Sequence, residues 1–246
     1  MKNFAKYGNV IGLIEEGDYP KRRTLIMIDL HTHTFFSDGE LLPAELIRRA
    51  EATGYKAIAL TDHADVSNIE FIISRIVEVC AWCNKYNKIY ALPGIELTHI
   101  PVNAIVSLAS EARALGAKII IVHGETLVEP VAPGTNRAAV EADIDILAHP
   151  GLVSDEVVKI AAKREIFLEL SARRGHSLTN GHVASIARKY EAKMIVNTDG
   201  HAPSDLISDI MARQIILGAG LSENEADIII QNSENIFQKK KGNENI

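Results

Sequence analysis

The chain has 246 residues, of which 47% are hydrophobic and 24% charged, a balance that fits one large globular domain or two small ones with a substantial core and gives no sign of disorder. The net charge of -6, with histidine neutral, argues against a broad surface for nucleic-acid backbone and suits a small or anionic substrate held through cations. No apolar stretch reaches the roughly 18–20 residues of a membrane span, so a cytoplasmic protein with no membrane partner is expected.

Residues 1–24 precede the first β-rich run and predict an N-terminal extension, either a small lid or a strand pair. From residue 25 one pattern repeats: a short apolar run, a polar tip, then an amphipathic helix. The runs are LIMIDL (25–30), AIALT (57–61), IYALPGIEL (89–97), AKIIIVH (117–123), IDILAH (144–149), EIFLEL (165–170) and KMIVNT (193–198). They lack strict polar alternation, as strands buried on both faces of a parallel sheet do.

Helices are predicted over 43–52, 69–86, 102–115, 136–142, 154–163, 181–190, 204–217 and 222–238, with start and stop signals such as Pro43, Gly54, Gly116 and Ser154. Cys80 and Cys83, the two cysteines of the chain, fall in the second of these with C-x-x-C spacing. The helical period places them on an inward face, so packing is expected rather than redox chemistry or a zinc half-site.

With the polar tips at 33, 63, 96, 123, 149, 171 and 199, successive spacings by subtraction run from 22 to 33 residues. That regularity predicts an α/β fold of one domain, a distorted (β/α)7 TIM-like barrel over 25–238, followed by a solvated polar tail at 239–246. A doubly wound open sheet is the alternative, but it would not gather all the tips around one mouth.

Six of the seven tips carry side chains competent to bind metal. His31, His33 and Asp38 follow the first run, Asp62 and His63 the second, Glu96 the third, His123 the fourth, His149 the fifth, and Asp199 and His201 the seventh. Six of the nine histidines therefore sit at strand ends, at the face where barrel active sites are built. In H-x-H, the strand period of two turns His31 and His33 to one side, where both can grip one cation. The donors outnumber the four or so that one zinc takes, which implies more than one ion, and Glu96 or Asp199 can bridge two of them. Nitrogen and oxygen donors without thiolate point to Zn, Mn or Fe. Asp62 is read as orienting His63, capping a turn or, less directly, ligating.

The ordered segments DLHTHTFFSDG, LTDH, PGIE, VHGE, LAHPG and NTDGH resemble the PHP family of phosphoesterases, named for polymerase and histidinol phosphatase, over about residues 25–205. The resemblance implies a distorted (β/α)7 barrel with two to three divalent ions at its C-terminal mouth. Carried over motif by motif, it puts one ion on His31, His33, Glu96 and Asp199, a second on Glu96, His123 and His149, and a third on Asp38, His63 and His201. Some relatives present a histidine where this chain has Asp38, which makes the third site harder and richer in oxygen.

Ions sharing a carboxylate lower the pKa of a water between them towards neutrality and offset charge on a phosphoryl group. The expected activity is thus hydrolysis of a small phosphate monoester, with histidinol phosphate among the candidates. The alternatives are a nuclease or phosphodiesterase of the polymerase-linked type and, behind it, an amide or lactone hydrolase. His99 and His176 are candidates to protonate a leaving group. SARRGHSLTNG, after the one run without a ligand of its own, offers Arg173, Arg174, His176 and Asn180 to a phosphate oxygen. HGETLVEPVAPGTN (123–136) lies at the same mouth and either shapes the pocket or is a plain connection with Glu125 and Glu129 solvated.

Overall fold

A computed structural model describes residues 27–242; the expectation for residues 1–24 lies outside them. Eight strand segments appear in chain order: β1 (Ile28–Asp29), β2 (Ala57–Leu60), β3 (His63–Ala64), β4 (Tyr90–Leu97), β5 (Ile119–His123), β6 (Ile146–Ala148), β7 (Phe167–Ser171) and β8 (Met194–Asn197). All pairings are parallel, and the order β1-β2-β4-β5-β6-β7-β8 follows the sequence, with β3 continuing the stave begun by β2. Seven staves in sequential order form a nearly closed single-domain barrel and rule out the reversed order of a doubly wound sheet.

The seam between the last stave and the first is closed mainly by side chains. Asn197 Oδ1 accepts from the Leu30 N–H at 3.0 Å, Asp29 Oδ1 accepts from the Thr198 N–H at 3.2 Å, and the His33 N–H donates to the Gly200 carbonyl at 2.8 Å. Two polar side chains thus stand in for ladder bonds. Among the described residues of the first run, the strand spans Ile28–Asp29.

Helices α1 (Pro43–Thr53), α2 (Ile69–Cys83), α3 (Ile105–Ala114), α4 (Thr135–Ala139), α5 (Asp155–Arg164), α6 (Asn180–Lys189), α7 (Asp209–Gly218) and α8 (Glu223–Lys241) occupy the predicted places. Cys80 and Cys83 are packed in the core between α2 and the barrel, as their helical spacing requires. The last helix runs on through Lys239, Lys240 and Lys241, which the sequence had placed in a solvated tail. Lys240 pairs with Asp145 across the barrel floor, and a cation in a final helical turn also meets the dipole favourably. No described helix is long and apolar enough to cross a membrane.

The period of two sorts the strand residues into two cores. Ile28, Ala57, Ala59, Leu92, Ile119, Ile121, Ile146 and Ile195 fill the barrel interior, floored by Ile236 and Phe237 of α8. Ile58, Leu60, Ile120, Val122, Leu168, Leu170 and Val196 face the helices. Carrying the inward parity upward along each stave gives Thr61 and His63, Glu96, His123, Glu169, and Asn197 and Asp199. The polar layer at the mouth is therefore the continuation of the apolar stack, imposed by backbone geometry.

Candidate metal centre

Asp199 keeps that parity, whereas His149, beside the inward Ala148, and His31 and His33, out of step with the inward Ile28 and Leu30, depart from it. His149 and Asp199 have positive φ, 27° and 52°, a conformation uncommon outside glycine and held here by the surrounding strand ends. At the first stave, the chain leaves β1 and turns back at Thr34–Gly39. The Gly39 N–H donates to the Thr34 carbonyl at 2.9 Å, and a Cβ at Gly39 would stand 2.5 Å from the His33 carbonyl oxygen, so only glycine fits. Asp62 fastens this turn: its carboxylate accepts from the Thr34 N–H at 2.8 Å, the Ser37 N–H at 3.1 Å, and both hydroxyls. Of the three roles considered for Asp62, the turn cap is the one its bonds describe.

The structure brings the strand-end donors together in three groups. In the first, His33 Nε2 is 3.1 Å from Asp199 Oδ1 and 3.6 Å from Glu96 Oε2, while His31 Nε2 is 3.4 Å from Glu96 Oε2 and 3.6 Å from Asp199 Oδ1. In the second, Glu96 Oε1 is 3.2 Å from His123 Nδ1 and 3.5 Å from His149 Nε2, and Asp199 Oδ2 is 3.8 Å from that same nitrogen. In the third, Asp38 Oδ1 is 3.2 Å from His201 Nε2 and 3.6 Å from His63 Nε2.

Donors sharing one ion at bond lengths of about 2.1 Å stand roughly 3.0–3.4 Å apart, so these separations fit divalent cations. Glu96 gives one oxygen to each of the first two groups, the arrangement a bridging carboxylate needs. The partnering of the same atoms points the same way. His31 Nε2, both nitrogens of His33 and of His149, and Glu96 Oε2 are buried without a hydrogen-bond partner. Each such orphan costs about 1–3 kcal/mol unless something fills the position.

Without a cation the cluster shares protons awkwardly. Burial would lower the His123 pKa, yet Glu96 and Glu129 push it up to about 10, and Glu169, Glu96 and Asp199 likewise outweigh burial at His31 and hold it well above its ordinary value. Burial and the neighbouring His63 drive His33 well below. Against burial, His31, His63 and His123 hold Glu96 well below the carboxylate range.

Two sequence expectations need correction, and one residue that supports the centre was not anticipated. The sixth run, read as carrying no ligand of its own, still supplies a supporting residue: Glu169 sits buried on β7, with Oε2 2.7 Å from His31 Nδ1 and accepting from Asn197 Nδ2 at 3.0 Å. It orients His31, the usual partnership of a carboxylate with a ligating imidazole. Asn180 was offered to a phosphate, but both ends of its amide are taken: Oδ1 accepts from the Ser171 N–H at 3.1 Å and Nδ2 donates to the Ser171 carbonyl at 2.8 Å. Arg174 is exposed and outside the mouth, whereas Arg173 lines it and donates to the Asp199 carbonyl at 3.2 Å.

The mouth is a cavity of about 360 Å³ lined by Asp38, His63, Thr98, His99, His123, Glu129, Arg173, His176, Asp199 and His201. His99, expected beside the site, lines it and is half-exposed. Glu129, which one reading of its loop left solvated, instead places Oε2 2.9 Å from His123 Nε2 and Oε1 3.3 Å from His176 Nε2. His176 is buried, stacks on His149 with ring centroids 4.0 Å apart, and its Nδ1 meets the Thr126 hydroxyl at 2.8 Å.

Comparison with known proteins agrees with this architecture. An uncharacterized protein of Methanocaldococcus jannaschii is 50% identical over 201 residues, covering 81% of this chain and 92% of its own. Ribonuclease P protein component 3 of Methanosarcina barkeri is 26% identical over 77% of this chain and 79% of its own, and a probable phosphatase of Clostridium botulinum 23% identical over 87% and 93%. Among solved structures, the fold is similar to a chain of archaeal ribonuclease P with mature tRNA (TM-score 0.68, 19% identity, 89% of this chain and 94% of that one). It is also similar to histidinol phosphate phosphatase from Lactococcus lactis complexed with zinc, L-histidinol and phosphate (TM-score 0.50, 18% identity, 79% and 94%). A sequence model described as the PHP domain matches residues 29–241, and the chain belongs to that family.

Proposed function

We propose that this chain is a metal-dependent phosphoesterase that hydrolyses a small phosphate monoester at the barrel mouth. The observation that carries the reading is the convergence of three donor groups on one cavity, with Glu96 shared between two of them and Arg173 as the permanent cation on the wall. Bound divalent ions would supply Lewis acidity and a nucleophilic water near neutral pH.

The chain's own residues would do the rest. His31, His33, Glu96 and Asp199 would hold the first ion, Glu96, His123 and His149 the second, and Asp38, His63 and His201 the third. Arg173, tethered to the Asp199 carbonyl, presents a guanidinium to a phosphoryl oxygen and fixes its orientation. His99, half-exposed on the wall, is the proton donor to the leaving oxygen. Burial and the neighbouring His149 push the His176 pKa down to about 3, so that ring carries no spare proton to give.

A cavity of about 360 Å³ matches a small ligand rather than a polymer, at the lower end of the roughly 300–1,000 Å³ of small-molecule sites. Histidinol phosphate, suggested by the name of one structural neighbour, belongs to this class. Protein stripped and refilled with Zn, Mn or Fe should release phosphate from an aryl phosphate, and the same preparations should be offered histidinol phosphate and single-stranded oligonucleotides. Monoester turnover well above oligonucleotide cleavage is expected. Oligonucleotide cleavage alone would replace the reading with a nuclease, and no hydrolysis under any metal would sink it.

A further inference from the structure

We propose that Glu129 is a positioning residue for His123: its carboxylate takes the hydrogen of Nε2 and thereby commits His123 to bind its cation through Nδ1. The proposal rests on the reading of His123 as a cation ligand.

Three other rings of the centre have Nδ1 in polar contact and Nε2 turned to the donors, whereas His33 and His149 have neither nitrogen bonded. His31 is held at Nδ1 by Glu169 at 2.7 Å; His63 Nδ1 lies 2.7 Å from both the Thr98 hydroxyl and Glu96 Oε2; and His201 Nδ1 lies 2.9 Å from the Asp199 carbonyl and 2.7 Å from Arg173 Nη1. This leaves Nε2 of His31 toward Glu96 and Asp199, and Nε2 of His63 and His201 toward Asp38. His123 is turned the other way. Its Nδ1 faces the shared Glu96 at 3.2 Å, and the tether must therefore come to Nε2. The group within reach of Nε2 is Glu129, at 2.9 Å. The two are close but not aligned as a hydrogen bond, and rotation of the carboxylate about its broad terminal torsion aligns them.

Glu129 comes from a connecting loop, so the question is whether that loop can hold it in place. Both ends of the loop are pinned. Glu125 Oε1 accepts from the Gly134 N–H at 3.1 Å and the Asn136 N–H at 2.8 Å, while Asn136 Oδ1 accepts from the Glu125 N–H at 2.9 Å and Nδ2 donates to the Pro150 carbonyl at 2.8 Å. A Cβ at Gly151 would stand 1.8 Å from the Glu125 carbonyl oxygen, so the next loop lies directly against this one. The second oxygen of Glu129 rests 3.3 Å from His176 Nε2, and His176 is itself held by Thr126 of the same loop. His176 thus braces the carboxylate from the far side. Partners of this kind fix the tautomer and orientation of a ligating ring, and losing one costs about 10–100-fold in metal affinity.

The test uses the full chain loaded with zinc and labelled with 15N at histidine. Imidazole 15N shifts should show His123 bound through Nδ1 with a hydrogen on Nε2, and chelator competition should show Glu129→Ala weakening one zinc by about 10–100-fold. Glu129→Gln, which keeps an acceptor oxygen and loses the charge, should fall between wild type and Glu129→Ala. His123 bound through Nε2, or unchanged zinc affinity in Glu129→Ala, would overturn this proposal alone. Neither nitrogen bound would overturn the ligand reading beneath it.

Discussion

Glu96→Ala is expected to remove at least one ion per chain and to lower turnover by on the order of 10²–10³-fold or more, the scale of losing one preorganised electrostatic contact in a sheltered site. Glu96 is fully buried, and five imidazoles, those of His31, His33, His63, His123 and His149, stand within 2.7–3.6 Å of its two oxygens. Among the described residues, the other one that gives an oxygen to each of the first two donor groups is Asp199, which lies farther from His149, at 3.8 Å. Glu96→Gln keeps the volume and one carbonyl oxygen, so it separates lost charge from lost packing. Metal content of the purified variants, read beside circular dichroism, checks the result. A variant that folds, keeps its full complement of ions and turns over normally would remove Glu96 from the centre.

Removal of the ions is the second large effect. A cation present at about 1,000 times its dissociation constant adds about 4 kcal/mol to folding stability, which for a chain of this size raises Tm by roughly 8–16 °C. Chelated protein should therefore melt that much lower, and zinc should restore the loss. The proton count gives an independent check. In the cation-free chain Glu96 and Glu129 hold His123 up at about 10, so near pH 8 that ring carries an extra proton that must leave when it binds, and the upward shift of His31 by Glu169, Glu96 and Asp199 acts in the same direction. Loading should release protons into a weak buffer, and affinity should rise with pH across the neutral range. Equal melting temperatures with and without ions, or loading with no proton release, would show that the ions bind elsewhere.

How far the centre was readable depended on which geometric rule governed each residue. Ligands at the tips of staves were legible because spacing fixes the tips and a period of two fixes direction, as at His63, Glu96 and His123. His149 was found by position, although it falls out of step with the inward Ala148 and takes a positive φ, which no local pattern announces. Glu169 was missed because it lies inside EIFLEL, an otherwise apolar run whose parity is hidden when both faces of a strand are buried.

Loop residues were harder still. Glu129 looked like any solvated acid until the Glu125–Asn136 bonds fixed the course of its loop. Asn180 looked available until both ends of its amide were seen closing on Ser171. The barrel itself was legible as seven repeats, but its seam was not: Asp29 and Asn197 are ordinary polar residues in sequence and replace strand pairing only when β1 and β8 come together.

The measurement that bears most directly on the whole account is a crystal structure of the metal-loaded chain with bound phosphate, with the ions located by anomalous scattering. The account predicts two ions bridged by Glu96, a third ion between Asp38, His63 and His201, and a phosphate spanning them with Arg173 on one of its oxygens. Ions bound away from Glu96, or a phosphate held outside the mouth, would contradict it.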